Sequence, residues 1–578
     1  MAWDTVKESL LAELAQRIDK RAEAADRQSL HNLSASFYSR FPAQDMRDRS
    51  VENLYGCLYG LLRFMREWPD TDPKIRIFNP EIQNHGWESK YTTLVILCRG
   101  IPFTMASVRG ELNRRNLRIH TIASSNLAVE RDENGELKGV LHGDNGDHAS
   151  DPGEALLFFE IGRHSNPGEL VELRETLASI LGEVALVVDD FPAICGRLQQ
   201  AATDINQSAC VARDHREEAV AFLGWLERNH MTLLGYEYLS VKHRGGNVTI
   251  KEDKKASLGL LRERKTRGVL DLQFDIEHLS LEQLHGKQLS FSKSRSRSRV
   301  HRLTYPDYVE VKVFDAEGQV VGQHRFIGLY TASVYTMNPQ LIPILRRKVE
   351  QVMELSDLEW AAHESREMVR VLEGFPREEL FQSSVQELYD TITEVNQIQE
   401  RRQTRLFVRK DPHGKFVNCL VYIPRDRYTT EQREKIESIL TSAFHAEESE
   451  FTTHFSESIL VRCHFVLRVN PATPLDFDPA EIEGQIVQTT LAWEDRLRLR
   501  LIEEFGEEQG EQYASDLSTG FPPGYRDDFD PRVGVLDIKK ILRVIKGEEL
   551  AMSLYRLVEE GDDRLRLRLY HRGQSLPL

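Results

Sequence analysis

The sequence predicts an α+β, multi-domain chain. It comprises ferredoxin-like βαββαβ and ββαββ modules, an antiparallel sheet between them, and helical connectors. Three observations lead there. Between Tyr91 and Asp190, apolar strand-like runs alternate with helical stripes in the order βαββαβ. Between Thr404 and Asn470 a rearranged relative follows as ββαββ. Neither stretch contains a G-x-G-x-x-G or G-x-x-x-x-G-K-[ST] loop, so the common phosphate-cradling devices are missing.

Residues 1–85 read as a helical segment. Leu10, Leu14 and Ile18 recur at helical spacing, and Leu54, Leu58, Leu61, Leu62 and Met65 form a second stripe before Trp68-Pro69-Asp70 breaks the pattern. Residues 86–195 hold the first module. Leu94 to Cys98 is a continuous apolar run, as expected of a strand buried on both faces. Arg99-Gly100-Ile101-Pro102 then turns into a helix carrying Met105, Val108 and Leu112. Leu117 to Ala123 and Ala155 to Ile161 read as strands, with loop chemistry at Asp132 to Gly135 and from Gly143. Asn166-Pro167-Gly168-Glu169 is a helix start: a capping side chain, proline at the first position, glutamate in the first turn. Leu170, Leu173, Leu177, Ile180 and Leu181 stripe that helix, and Val184 to Val188 reads as the closing strand.

Residues 205–335 begin with a helix from Ala219 to His230, followed by strand-like runs at Thr232 to Val241, Asn247 to Lys251, Tyr308 to Phe314 and Val320 to Tyr330. One helix followed by several antiparallel strands suggests a PAS- or GAF-like sheet. Gly245-Gly246 reads as a hairpin turn. Residues 336–402 form a helical connector, with Phe381, Val385, Leu388, Ile392 and Val395 on one stripe. Residues 403–472 are the second module. Strands Leu406 to Arg409 and Phe416 to Ile423 flank the turn Asp411-Pro412-His413-Gly414, and Val461 to Val469 alternates strictly. Residues 473–548 read as a long helix capped at Asp478-Pro479 and running past Leu501, then a linker after Phe521-Pro522-Pro523-Gly524. Residues 549–578 begin a further strand pair at Leu554 to Tyr570, an expected incomplete third module.

Composition narrows the function classes. The chain has 75 basic and 91 acidic side chains, a formal charge of −16, which disfavours nucleic acid and anionic lipid as partners. The six scattered cysteines lack C-x-x-C spacing and fit buried free thiols in a reducing cytoplasm. No run reaches the roughly 20 apolar residues of a membrane span, and no metal-ligand motif occurs. In Ser290 to Arg299, alternation would place Lys293, Arg295, Arg297 and Arg299 on one face, able to meet phosphate. The preferred reading is a solvated edge strand or loop whose arginines pair nearby acids, because aromatic interleaving is almost absent. The candidate effector-binding residues are Arg99, Gly100, Ile101 and Pro102. Backbone N–H groups at a helix start can hold a carboxylate, Gly100 permits close approach and Arg99 adds charge. The competing reading is an ordinary βα connection.

Several stretches resemble the N-terminal part of the large bacterial NAD-specific glutamate dehydrogenases. They are Tyr305-Pro306-Asp307-Tyr308 leading to Val321 through Thr331, Arg405 to Arg409 with Val421 to Arg425, and Phe521 to Tyr525 before Val535 to Ile538. The resemblance implies ACT-type and PAS-like modules ahead of a catalytic core that deaminates glutamate to 2-oxoglutarate and ammonia. NAD would be the cofactor of the full enzyme, with no cofactor or catalytic residue carried by this stretch. It further implies a homo-oligomer, contact with the C-terminal catalytic domain, and an amino-acid or carboxylate effector, or else pure scaffold. The alternative is a stand-alone effector-binding or signalling protein without enzymatic activity.

Overall fold

In the computed structural model the described residues are 2–46, 49–69, 72–141, 153–244, 247–262, 288–356, 363–398, 401–411, 413–555 and 566–573. They form two compact units, residues 1–354 with 375–383, and residues 355–374 with 384–578. Among the described residues no helix is long and apolar enough to cross a membrane.

The first unit opens with the expected helical layer: α1 (Ala2–Arg21), α2 (Ala24–Ser39), α3 (Ala43–Met46) and α4 (Val51–Met65). The Ser50 side chain caps α4 by accepting from the Asn53 N–H at 3.2 Å. Next come β1 (Lys74–Phe78), α5 (Ile82–His85), β2 (Thr92–Arg99), α6 (Thr104–Arg114) and β3 (Ile119–Leu127). A small hairpin of β4 (Val129–Arg131) and β5 (Leu137–Val140) precedes β6 (Glu154–Ile161) and α7 (Pro167–Gln207). The sheet order is β1-β2-β6-β3, all antiparallel. One face packs Leu94, Ile96 and Phe159 against Val108, Leu112, Leu173 and Leu177 of α6 and α7. The other packs Val95, Leu97 and Phe158 against Leu30, Phe37 and Phe41. Two covered faces explain why β2 and β6 read as unbroken apolar runs rather than alternating ones.

The expected closing strand at Val184 to Val188 is instead the middle of α7, a helix of 41 residues. Val184 and Val187 continue the stripe of Leu173, Leu177 and Leu181 at helical spacing, and a short apolar run cannot by itself separate helix from strand. The fourth strand is β1, a half-buried edge with only Ile75, Ile77 and Phe78 as apolar residues. The order is therefore ββαββα, not βαββαβ. The start of α7 follows the sequence: the Asn166 side chain accepts from the Gly168 N–H at 3.0 Å. The loop expected from Gly143 lies outside the described residues.

α7 continues unbroken past residue 195 and, at about 1.5 Å per residue, spans roughly 60 Å. Its second half serves another sheet. α8 (Arg213–Trp225) leads into β7 (Met231–Arg244), β8 (Asn247–Glu252), β9 (Leu258–Gly259), β10 (Leu289–Lys293), β11 (Asp307–Phe314) and β12 (Val320–Tyr330). These form an antiparallel sheet ordered β10-β11-β12-β7-β8, with β9 beside β7. Gly245-Gly246 lies outside the described residues. The Ser/Arg run does not alternate along one strand, because β10 ends at Lys293. Its cations do pair acids: Lys293 with Asp307 at 2.9 Å and Arg299 with Glu183, while Arg297 lies 4.8 Å over the Tyr305 ring. β10 is an edge strand, but Ser292, Lys293 and Ser294 are buried rather than solvated.

The second unit repeats the first module's topology. After helices His363–Gly374 and Val385–Ile398 come β13 (Arg405–Lys410), β14 (Phe416–Pro424), helix Thr430–Ala443, β15 (Glu448–Phe455), β16 (Leu460–Arg468) and helix Pro479–Thr490. The order β13-β14-β16-β15 is antiparallel and matches β1-β2-β6-β3 position for position. Even the last helix starts alike, with the Asp478 side chain accepting from the Ala480 N–H at 2.9 Å ahead of Pro479. Asp411 shapes the β13–β14 turn by accepting from the N–H groups of His413 and Lys415 at 3.0 and 3.2 Å; Pro412 lies outside the described residues.

The helix expected to run past Leu501 ends at Thr490 and a new one, Trp493–Phe505, begins after Leu491 and Ala492. Helices Glu507–Leu517 and Pro531–Ile545 follow, then a hairpin of β17 (Leu550–Tyr555) and β18 (Arg566–His571). The expected pair starts at Leu550, four residues earlier than Leu554, and residues 556–565 and 574–578 lie outside the description. Asp537 fastens the hairpin to its helix, accepting from the Tyr570 hydroxyl at 2.6 Å and from Tyr525 and Arg568. Asp537→Ala is expected to cost about 2 kcal/mol of hairpin docking, since three half-buried donors lose one buried acceptor. Limited proteolysis between residues 550 and 573 would then quicken severalfold; an unchanged rate would count against this role.

Candidate functional site

The turn singled out from sequence joins β2 to α6 as expected, and its polar groups are engaged. The Arg99 guanidinium grips Asp189 of α7 with two hydrogen bonds of 2.9 and 3.0 Å, which raises its pKa further. The Gly100 N–H donates to the Gly153 carbonyl at 3.0 Å, and the Ile101 N–H to the Arg99 carbonyl at 2.8 Å. Pro102 has no N–H to offer. α6 begins at Thr104, behind Phe103 at a positive φ of 70°. The structure thus brings Arg99 to Gly100 and Ile101, but directs the guanidinium at α7.

Two other constellations concentrate charge in the first unit. The first is a row across the sheet of β7 to β12. Strand register lines up Ser290, Glu310, Arg325 and Glu237 on four neighbouring strands. Arg325 is 1% exposed, with Nη1 3.0 Å from Glu237 and Nε 3.2 Å from Glu310, and it lies 4.3 Å over the Tyr308 ring. Ser290 donates to Glu310 at 2.9 Å. Lys312, two residues along β11, is buried in the same neighbourhood. Burial lowers its pKa to about 8, opposed by the charge of Glu310.

That shift has a pH consequence. Between about pH 8 and 10.5 the unfolded lysine holds a proton that the folded one has released, so stability rises with pH across this window. Urea midpoints measured at pH 8.0 and 9.5 should therefore rise more in the wild type than in Lys312→Met. Equal rises would show that Lys312 keeps its ordinary affinity for protons.

The second constellation is an open cleft of about 950 Å³ at the foot of the first sheet, between the loop before β2, the start of β3, the end of β6 and the α3–α4 region. Its floor holds Glu160, which is 1% exposed and takes Arg49 on one oxygen and the Ser89 hydroxyl on the other, the latter at 2.9 Å. Neither constellation was legible from the sequence. Glu310 and Lys312 alternate with valines, the pattern of a strand with a wet face, yet both faces of β11 are covered. Arg49 and Glu160 are 111 residues apart and meet only in the fold. Among the described residues no group of three or more His, Cys, Asp or Glu side chains is placed to hold a metal ion.

Four family models match the chain in order: the glutamate dehydrogenase ACT1 domain over residues 33–177, helical motif 1 over 342–401, the ACT2 domain over 405–494 and helical motif 2 over 500–544. The two ACT matches cover the two ββαββα modules. Among whole sequences, the NAD-specific glutamate dehydrogenase of Halomonas elongata is 36% identical over 586 residues, covering 100% of this chain and 36% of the relative. That of Pseudomonas aeruginosa is 38% identical over 549 residues, covering 94% of this chain and 34% of the relative. The Mycobacterium tuberculosis enzyme is 28% identical over 407 residues, 68% of this chain and 24% of the relative. The chain thus spans about a third of the length of the first two relatives. With both ACT modules and both helical motifs in the family's order, this protein belongs to the large bacterial NAD-specific glutamate dehydrogenases.

Proposed function

We propose that this chain is the regulatory and assembly region of a large NAD-specific glutamate dehydrogenase. The whole enzyme would convert L-glutamate, NAD and water to 2-oxoglutarate, ammonia and NADH. The observation that carries the reading is topological. Every strand pairing among the described residues is antiparallel, whereas a dinucleotide-binding layer is a mostly parallel sheet with ligand at its switch point. NAD and the reacting substrate would be held by the C-terminal catalytic domain, and this region would bias that domain through contacts that differ between two states.

The central sheet is read as PAS-like. Its last strand, β12, lies beside its first, β7, with β8 at one edge and β10 at the other. Self-association and docking of the catalytic domain are supported by one face of the β17–β18 hairpin. There Leu550, Met552, Leu554, Leu567 and Leu569 are all exposed, too contiguous an apolar patch for an unpartnered surface. A cytoplasmic location is supported by six free cysteines, four of them buried. No partnership with nucleic acid or membrane is proposed.

The decisive assay is glutamate-dependent reduction of NAD by this chain alone and by the full-length enzyme. The full enzyme should turn over, and the chain alone should show no rate above background. Turnover by the isolated chain would defeat the proposal.

A further inference from the structure

We propose that the cleft at the foot of the first ββαββα sheet binds a small organic oxyanion, a carboxylate or a phosphate ester of metabolite size. At about 950 Å³ it lies near the top of the volume range of small-molecule sites, roughly 300–1,000 Å³. Its chemistry follows from which polar groups are already committed and which are not. Glu160 has both oxygens engaged, so it is a buttress that fixes the Arg49 guanidinium rather than a group open to a ligand. Arg49 in turn donates Nε to the Asp45 carbonyl at 2.9 Å and Nη2 to Glu160. Its Nη1 has no hydrogen-bond partner among the described residues.

The irregular register of β3 between Ile119 and Thr121 supplies the adjoining wall. His120 stacks on Tyr91 with centroids 4.0 Å apart, and Thr121 is buried beside it. Neither the His120 ring nitrogens nor the Thr121 hydroxyl has a hydrogen-bond partner among the described residues. Lys90 lies 5.2 Å over the Tyr91 ring, and Arg163 donates to the Ser89 carbonyl at 3.2 Å, which sets two further cations on the lining.

Four acids of the lining, Asp45, Glu81, Glu88 and Glu160, face its three cations Arg49, Lys90 and Arg163, so anion selectivity would lie with the floor and not with net charge. Glu81 is taken by Asn84 at 2.9 Å, Glu88 is exposed, and burial raises the pKa of the Asp45 carboxyl against the opposing charge of Arg49. Of the uncommitted groups of the floor the Arg49 guanidinium edge can only donate, and the Thr121 hydroxyl and a His120 ring nitrogen can donate beside it, which is the complement of an oxyanion. That such an anion would act as an effector rests on the regulatory reading above; the binding site itself does not.

The test titrates the whole 578-residue chain calorimetrically with succinate and with inorganic phosphate, and repeats both with Thr121→Val and Lys90→Ala. Thr121→Val keeps the side chain's shape and removes only the hydroxyl. At least one probe should bind, and each variant should weaken it about tenfold while leaving the melting temperature unchanged. Which probe binds separates a carboxylate source from a phosphate source. Absence of binding by either probe, or binding undiminished in both variants, overturns the site. If the variants lose binding while the full-length dehydrogenase keeps its response to the same anion, the site stands and its regulatory role falls.

Discussion

Replacing Arg325 by methionine is expected to lower the stability of the first compact unit by about 3–5 kcal/mol at pH 7. The reason is the carboxylates left behind more than the bond removed. Glu237 is 0% and Glu310 3% exposed, and Arg325 is the cation between them. Methionine fills much of the volume over the Tyr308 ring but offers nothing to either acid. The two glutamates would take up protons in the folded variant well above their usual value of about 4.3. Their folded affinity for protons would then exceed the unfolded one, so stability is favoured at low pH and lost as pH rises through the raised value. Urea unfolding followed by circular dichroism should therefore show a deficit that is large at pH 7 and shrinks toward pH 5. Adding Glu237→Gln and Glu310→Gln to the same chain should recover part of the loss. A deficit below about 1 kcal/mol, independent of pH, would mean that the row carries no such burden.

What the sequence disclosed and what it concealed divide along a physical line. Signals that act within a turn or two were legible. The Asn166-Pro167 and Asp478-Pro479 caps sit where their side chains predict, and the buried runs Leu94 to Cys98 and Ala155 to Ile161 are the central strands. The features that escaped depend on partners distant in the chain. β1 is a strand only because β2 offers it an edge, and Lys74 to Phe78 has too few apolar residues to announce itself. Val184 to Val188 would suit either secondary structure, and it is helical because one stripe has to serve two sheets in succession. Arg99 was correctly placed beside a turn, but the carboxylate it grips is 90 residues away on α7. The same distance effect hid the cleft, whose donors come from α4's approach, β3 and the loop before β2.

Gly259→Ala should destabilise the same unit by about 2–5 kcal/mol, and it probes the structural feature least expected from sequence, the single helix α7 shared by two sheets. Gly259 has a φ of +60°, a conformation that costs an alanine roughly 1–2 kcal/mol. An added Cβ would lie 2.3 Å from the Leu234 carbonyl oxygen and 2.9 Å from the Gly235 Cα, backbone atoms that cannot rotate aside. The same glycine is also the joint itself, since its N–H donates to Asp190 of α7 at 2.7 Å, and Arg262 pairs with the same carboxylate. α7 carries Leu173, Leu177 and Leu181 into the core of the first module and Val184 and Val187 into that of the central sheet. Neither sheet can shed its part of the helix without exposing the other's neighbour. Both should therefore unfold together, and amide exchange should quicken equally in β2 and β6 and in β7 and β12 of the variant. Loss of protection confined to β7 and β9 would show instead that the two modules open independently and that α7 transmits nothing between them.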